Sequence, residues 1–383
     1  MYLYGKHTML KRYMQISCQG IGLFQSAYGM IRRDNLQPEG GPRRLMWQRY
    51  IHSAPAGTLP YFVYAPDNEQ DGTPVPLVVM LHGCAQTAEE FAKSTRMNEL
   101  AEQYHFIVAY PQQTSDNNRS HCWNWFKPTH QVRDHGEPAI IANIVREIAG
   151  NKTGWTIDPQ HIYVAGLSAG GAMASILGAT YPELFTAIGV HSGLEYGAAS
   201  NMIEGLRAMR GGGPDALKLG YAAYTAMGAK ARVMPVIVFH GSRDRVVHPM
   251  NGEKVVRQWM QTNSLASHGT YIPAFNAPMH VEAGYVKGGR KYTVYTWADT
   301  RGKPVQEYWQ VDDMGHGWSG GRPGRYSDPR GPDASLAMYQ FFLAHATGAQ
   351  AKQDENEKER LNRWNIRAVG ERLLRPFHSH THE

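Results

Sequence analysis

The feature that most constrains this chain is a rhythm of short apolar runs separated by segments of helical period. Residues 77–81, 106–110, 162–165, 187–191 and 236–240 are near-continuous apolar stretches of the kind a strand needs when both its faces are buried. Between and after them, 87–104, 138–150, 169–181 and 251–261 repeat their apolar residues with helical spacing. Strand and helix alternating at this length predict an α/β fold, with a mostly parallel central sheet and helices on both faces. Runs at 47–52 and 59–65 flank a Pro-Ala-Gly turn and predict an N-terminal hairpin. Runs at 292–297 and 305–311 pair through a turn at 299–304, and 332–346 closes the domain as a helix. Residues 195–232 interrupt the rhythm with Gly211-Gly212-Gly213 and short helical pieces, which reads as an insertion or lid.

Composition removes several alternatives. Hydrophobic residues make up 42% of the 383 positions, enough for a core that offsets ordering entropy. No apolar stretch approaches the roughly 20 residues of a membrane span. The net charge of +6 comes from the first 50 residues, where eight basic side chains face only Asp34 and Glu39. The body over 51–350 is nearly neutral, which argues against a nucleic-acid groove. The expected organisation is a basic arm over 1–45, the α/β domain over 46–350 and a charged tail over 351–383. Three cysteines, Cys18, Cys84 and Cys122, are too few for a disulfide scaffold. No secretory leader is read at the N-terminus, so taken at face value the chain is expected in the cytoplasm. There is no phosphate-binding GxxxxGK[ST], no HExxH and no GxGxxG after a first strand.

Chemistry concentrates at Gly166-Leu167-Ser168-Ala169-Gly170, directly after the strand at 162–165 and before a helix of small residues. This is the strand–turn–helix context in which a strained turn lifts a serine out of a sheet as a nucleophile. A hydroxyl needs an adjacent base. His316, set between Gly315 and Gly317 after the last strand, is the candidate. Asp244, just past the strand at 236–240, is the leading acid to orient that imidazole, and it lies between serine and histidine as the order of this fold requires. Glu195, Asp312 and Asp313 compete for that role, and Asp244 has an alternative as a surface partner of Arg243 or Arg245.

Backbone amides of Ala169 and Cys84 are the expected oxyanion donors, the second from the loop His82-Gly83-Cys84-Ala85-Gln86. The loop His121-Cys122-Trp123-Asn124-Trp125-Phe126 leaves the same sheet edge. Trp123 and Trp125, with Trp318 beside His316, are candidate walls for the substrate. A bridge between Cys84 and Cys122 would rigidify the oxyanion loop. His240 reads as a core residue.

The stretches LHGCAQTAEEFA, CWNWF, DPQHIYVAGLSAGGAMA, FHGSRDRVV and GHGWSGG, in this order over residues 50–346, resemble the esterase family of polyhydroxybutyrate depolymerases and the related feruloyl and acetyl xylan esterases. The resemblance implies an α/β-hydrolase fold, no metal or organic cofactor, an extracellular setting, and Ser168, Asp244 and His316 as a catalytic triad. The expected activity is hydrolysis of small, oligomeric or polymeric carboxylic esters through an acyl-enzyme. Secreted polyester depolymerases usually carry a linker and a polymer-binding domain, which are not read here; this favours soluble oligomers or small esters. A peptidase of the same fold and a non-catalytic binding protein are the alternatives.

Overall fold

The computed structural model describes residues 47–66, 72–150 and 154–346; the expected arm over 1–45 and tail over 351–383 lie outside them. Ten strands form one sheet: β1 (Trp47–Ala54), β2 (Gly57–Tyr64), β3 (Val75–Leu81), β4 (Ile107–Pro111), β5 (Ile157–Leu167), β6 (Ala187–His191), β7 (Val236–Gly241), β8 (His280–Tyr285), β9 (Lys291–Ala298) and β10 (Pro304–Val311). Their order is β1-β2-β4-β3-β5-β6-β7-β10-β9-β8. The inner run from β4 to β10 is parallel throughout. The hairpin β1–β2 joins it antiparallel at one side, and β9 and β8 do so at the other.

The parallel sheet and the N-terminal hairpin are those the apolar pattern predicts. The continuous runs have a physical reason, because each face of the sheet buries its own core. Leu77, Val79, Leu81, Val164, Ile188, Val190, Val236 and Val238 pack with helices α3 (Gly136–Ala149), α4 (Ala169–Thr180), α6 (Ala216–Met227) and α7 (Met250–Ala266). Alternate residues Val78, Met80, Tyr163, Ala165, Ile237 and Phe239 pack with α1 (Ala88–Thr95), α2 (Met97–Tyr104) and α8 (Ala334–Leu343) on the other face. Burying each large apolar side chain contributes about 1.5–3 kcal/mol. Among the described residues no helix is long and apolar enough to cross a membrane.

Three local differences from the sequence pattern have identifiable causes. The helix expected over 87–104 starts with a capping box between Thr87 and Glu90 but breaks at Arg96, which is left-handed (φ 60°, ψ 17°). Thr95 Oγ1 there donates to Ala92 O and accepts from Met97 N–H, a local alternative to the helical ladder. Strand β8 has no apolar signature because it is an edge strand whose residues are almost all exposed. The segment 195–232 folds as α5 (Met202–Arg207), a π-turn at Ala208–Gly212 and α6. It is fastened to α7 and the turn before it: Met209 O accepts from His248 N–H and Asn251 Nδ2, and Gln258 bonds Tyr196 at both main-chain groups.

The chain leaves β3 in one direction to form β4 and crosses to the other side to form β5, so the strand order reverses between β3 and β5. Crevices at such a reversal, beyond the carboxyl ends of the strands, are where sheets of this type hold ligands. In the β3–β5 register Leu81 lies opposite Gly166, which sets the loops that follow the two strands side by side. Gly170, in the first turn of α4, makes this contact feasible: a Cβ there would lie 2.0 Å from Leu81 O and 2.7 Å from His82 O. Gly170→Ala is therefore expected to destabilise the protein by about 3 kcal/mol, read as a lower denaturation midpoint. An unchanged midpoint would contradict this account of the crossing.

Candidate active site

β5 ends at Leu167 and α4 begins at Ala169, so the turn between them is Ser168 alone. Its backbone has φ 58° and ψ −118°, a conformation a non-glycine residue holds only when its surroundings impose it. One such constraint is its N–H, which donates to His191 O at the end of β6 at 2.9 Å. Ser168 is 8% exposed. The Ala169 N–H is the first of α4, at the helix end where amides have no partner within the helix.

Past β7 the chain turns so that Asp244 Oδ1 accepts the N–H groups of Val246 and Val247, both at 2.9 Å. Its Oδ2 accepts Nδ1–H of His316 at 2.7 Å. His240 Nε2 donates to Val247 O at 2.9 Å and lies 3.5 Å from the same Oδ2. Burial by itself would raise the Asp244 carboxyl. The His316 bond and charge, with His240 and the Val247 amide, outweigh it and hold the group below the usual aspartate range. In the neutral imidazole this bond keeps the proton on Nδ1 and the lone pair on Nε2, the form in which an imidazole can take a proton. The His316 loop approaches closely because Gly241 has no side chain: a Cβ there would meet Met314 O at 2.3 Å.

The other candidate acids are placed elsewhere. Asp313 pairs with Arg243 at 2.7 Å, which also removes Arg243 as a partner for Asp244. Glu195 is 2% exposed with no hydrogen-bond partner on either carboxyl oxygen.

The loop after β3 lies against the serine, since a Cβ on Gly83 would be 3.6 Å from Ser168 Cβ. Gly83 N–H donates to Gln86 Oε1 at 2.8 Å and Ala85 N–H to Ser120 O at 2.9 Å, so the turn is held on both sides of Cys84. His82 is buried; its Nδ1–H donates to Gly83 O at 2.8 Å, and its Nε2 accepts Gln113 N–H at 3.0 Å. Burial pushes this imidazole down to about 4 despite the bond to Gly83, so it stays neutral. Cys84 and Cys122 form a disulfide across a Cα separation of 4.2 Å.

Beneath the loop lies a carboxylate that the sequence pattern did not single out. Glu137, in the first turn of α3, is buried and accepts Gln113 Nε2 at 2.5 Å, Asn124 N–H at 2.6 Å and Asn124 Nδ2 at 2.5 Å. The same Gln113 amide donates to Cys122 O at 3.1 Å. Glu137 therefore steadies the Cys84 turn through His82 and through the disulfide. Its one sequence signal is a glutamate directly before the apolar run Pro138–Ala142.

The aromatic candidates are corrected by burial. Trp318 is fully buried on the α1–α8 face, where it stacks on His191, meets Phe91 edge-on and donates Nε1–H to Ser335 Oγ at 3.0 Å. Trp123 is also fully buried, with Nε1–H on His82 O at 3.0 Å, so it supports the loop that carries Cys84. Neither ring faces a space a substrate could occupy. Trp125 is 6% exposed and lies under Gly205 of α5, beside the half-buried Phe126. Among the described residues no group of three or more His, Cys, Asp or Glu side chains is arranged to hold a metal ion.

Two expectations follow from the buried carboxyls. Glu137→Gln turns an amide donor towards groups that are themselves donors, so it is expected to cost about 2–3 kcal/mol in thermal or denaturant unfolding; a variant as stable as the wild type would refute the anchoring role. Glu195 differs in sign. Burial raises its pKa to about 7, partly offset by the nearby main-chain amide and Lys254. The unfolded chain releases this proton near pH ~4.3. Between those values the folded state holds the extra proton, so the stability contributed by this group falls as pH rises through the window. Glu195→Gln is expected to match the wild type near pH ~4.5 and to exceed it by up to about 3 kcal/mol near pH ~8. Parallel stability curves for the two proteins would contradict this.

The chain is 34% identical over 270 residues to poly(3-hydroxyalkanoate) depolymerase C of Paucimonas lemoignei, covering 68% of this chain and 59% of that protein. It is 30% identical over 261 residues to a probable acetylxylan esterase A of Neosartorya fischeri, covering 63% and 64% of the two. The chain thus spans about three-fifths of the length of these relatives. The solved acetyl xylan esterase from Aspergillus awamori superposes with a TM-score of 0.60 at 22% identity, over 77% of this chain and 99% of that one, which shows a common α/β-hydrolase fold. The family model described as "Esterase PHB depolymerase" matches residues 59–273, more than half of the chain, and with that match the chain belongs to the esterase family of polyhydroxybutyrate depolymerases.

Proposed function

We propose that this protein is a serine esterase that cleaves carboxylic esters through an acyl-enzyme. The observation that carries the reading is the 2.7 Å bond between His316 Nδ1 and Asp244 Oδ2, in a loop linked to the strained turn of Ser168 through His191, which accepts both Ser168 N–H and Ser319 N–H. In this reading Nε2 of His316 takes the proton of Ser168 Oγ as that oxygen attacks the ester carbonyl. Asp244 keeps the imidazole in the required tautomer and offsets the charge it acquires. The amides of Ala169 and Cys84 receive the oxyanion. His316 then protonates the departing alcohol, and water, deprotonated by the same nitrogen, releases the acid.

The names of the relatives support esters of hydroxyalkanoate, acetyl or feruloyl type as the substrate class. The Cys84–Cys122 disulfide favours an oxidising, extracellular setting over a cytoplasmic one.

Hydrolysis of p-nitrophenyl acetate and butyrate tests the reading. Ser168→Ala is expected to lose at least about 10^3-fold in kcat/KM, and Asp244→Asn about 10^2- to 10^4-fold, with folding intact in both. Equal turnover by wild type and Ser168→Ala would remove the esterase assignment. Clearing of a polyhydroxybutyrate suspension against release of ferulate from methyl ferulate then separates the substrate classes.

A further inference from the structure

We propose that His191 is a positioning residue that ties the Ser168 turn to the loop bearing His316; the inference rests on the esterase reading and adds to it. His191 ends β6 and works from both its main chain and its ring. Its carbonyl accepts Ser168 N–H at 2.9 Å. Its Nε2 accepts Ser319 N–H, three residues past His316, at 3.0 Å. The other end of the His316 loop is held by the acid's turn, with Asp313 N–H on Ser242 Oγ at 2.9 Å and Arg243 N–H on Met314 O at 3.0 Å. His316 is therefore suspended between two anchors, one beside Asp244 and one on the residue that holds Ser168.

The ring of His191 is fixed in plane and in tautomer. It is fully buried and stacked between Phe239 (5.6 Å, 17°) and Trp318 (5.0 Å, 27°). Trp318 is held in turn through Ser335, whose hydroxyl donates to Thr95 O at 2.6 Å. Nδ1–H of His191 points to Ser192 Oγ at 3.2 Å, leaving Nε2 as the acceptor. Burial, together with the neighbouring His240 and His316, holds the imidazole well below its ordinary range, so the lone pair on Nε2 persists. A residue that only filled the core would not need an acceptor at that atom.

Two substitutions separate the roles. A glutamine amide oxygen reaches the position of Nε2, whereas an asparagine reaches only that of Nδ1. With p-nitrophenyl butyrate, His191→Gln is expected to stay within about 3-fold of the wild-type kcat, and His191→Asn to lose about 10^2-fold in kcat with KM little changed, the scale of a 1 Å misplacement. The two variants should have similar denaturation midpoints. Equal kcat for the two, whether both retained or both lost, overturns the proposal. Independently of any variant, the wild-type chain should show a scalar coupling across the hydrogen bond between the Ser319 amide nitrogen and His191 Nε2; its absence overturns the proposal as well. A wild type no faster than Ser168→Ala would instead sink the esterase reading, and the positioning role with it, whereas Ser168-dependent turnover with Gln and Asn alike sinks the positioning role alone.

Discussion

Everything at the candidate site depends on the parallel pairing of β3 with β5, and on the register that sets Leu81 opposite Gly166. Slipping a strand by one residue turns every side chain to the opposite face, and both faces of these strands are filled with tightly packed apolar groups. The register is therefore held by two cores at once. Its consequence is local: the strand that leads into His82-Gly83-Cys84 and the strand that leads into Ser168 end level with each other. Gly170 lets the helix after the serine touch the carbonyls of that first loop.

A second layer of order is polar. Loops at the ends of parallel strands have no ladder to satisfy their main chain, so other groups must do it. Here a few buried side chains serve: Glu137 gathers donors from Gln113 and Asn124, Asp244 gathers two amides and an imidazole, and His82 bonds at both ring nitrogens. Each of these groups would be costly alone in a low-dielectric interior and is stabilised by being fully engaged. Glu195 contrasts with these three: neither carboxyl oxygen has a hydrogen-bond partner, and it holds its proton to about pH 7. The contrast between Asp244 and Glu195, two buried carboxyls shifted in opposite directions, comes from their partners rather than from depth.

The legible part of the fold was the part with one-dimensional periodicity. Buried parallel strands are apolar on both faces, so β3, β4, β6 and β7 stood out as runs, and the small residues after Ser168 marked a helix pressed onto a strand. Strand β8 did not stand out, because an exposed edge has no face to bury. The break at Arg96 did not either, because it depends on a local hydroxyl bond at Thr95. Among the site residues, Ser168, Asp244 and His316 were singled out by what surrounds them in the chain. Glu137, Gln113 and His191 were not, since a buried hydrogen-bond partner carries no mark in the linear sequence.

Aromatic residues show where local reading ends. Trp123 and Trp318 flank chemically suggestive motifs, yet each indole faces inward and donates its N–H to a buried acceptor. Sequence alone determined the α/β class, the hairpin, the order of the candidate residues and the glycines around them, because these follow from periodicity and from steric demands within a few positions. Tertiary structure decided which carboxylate meets His316, which tryptophans are core, and which residue joins the serine's turn to the imidazole's loop. Those outcomes are set by distances between segments far apart in the chain, and such distances exist only once both cores have packed.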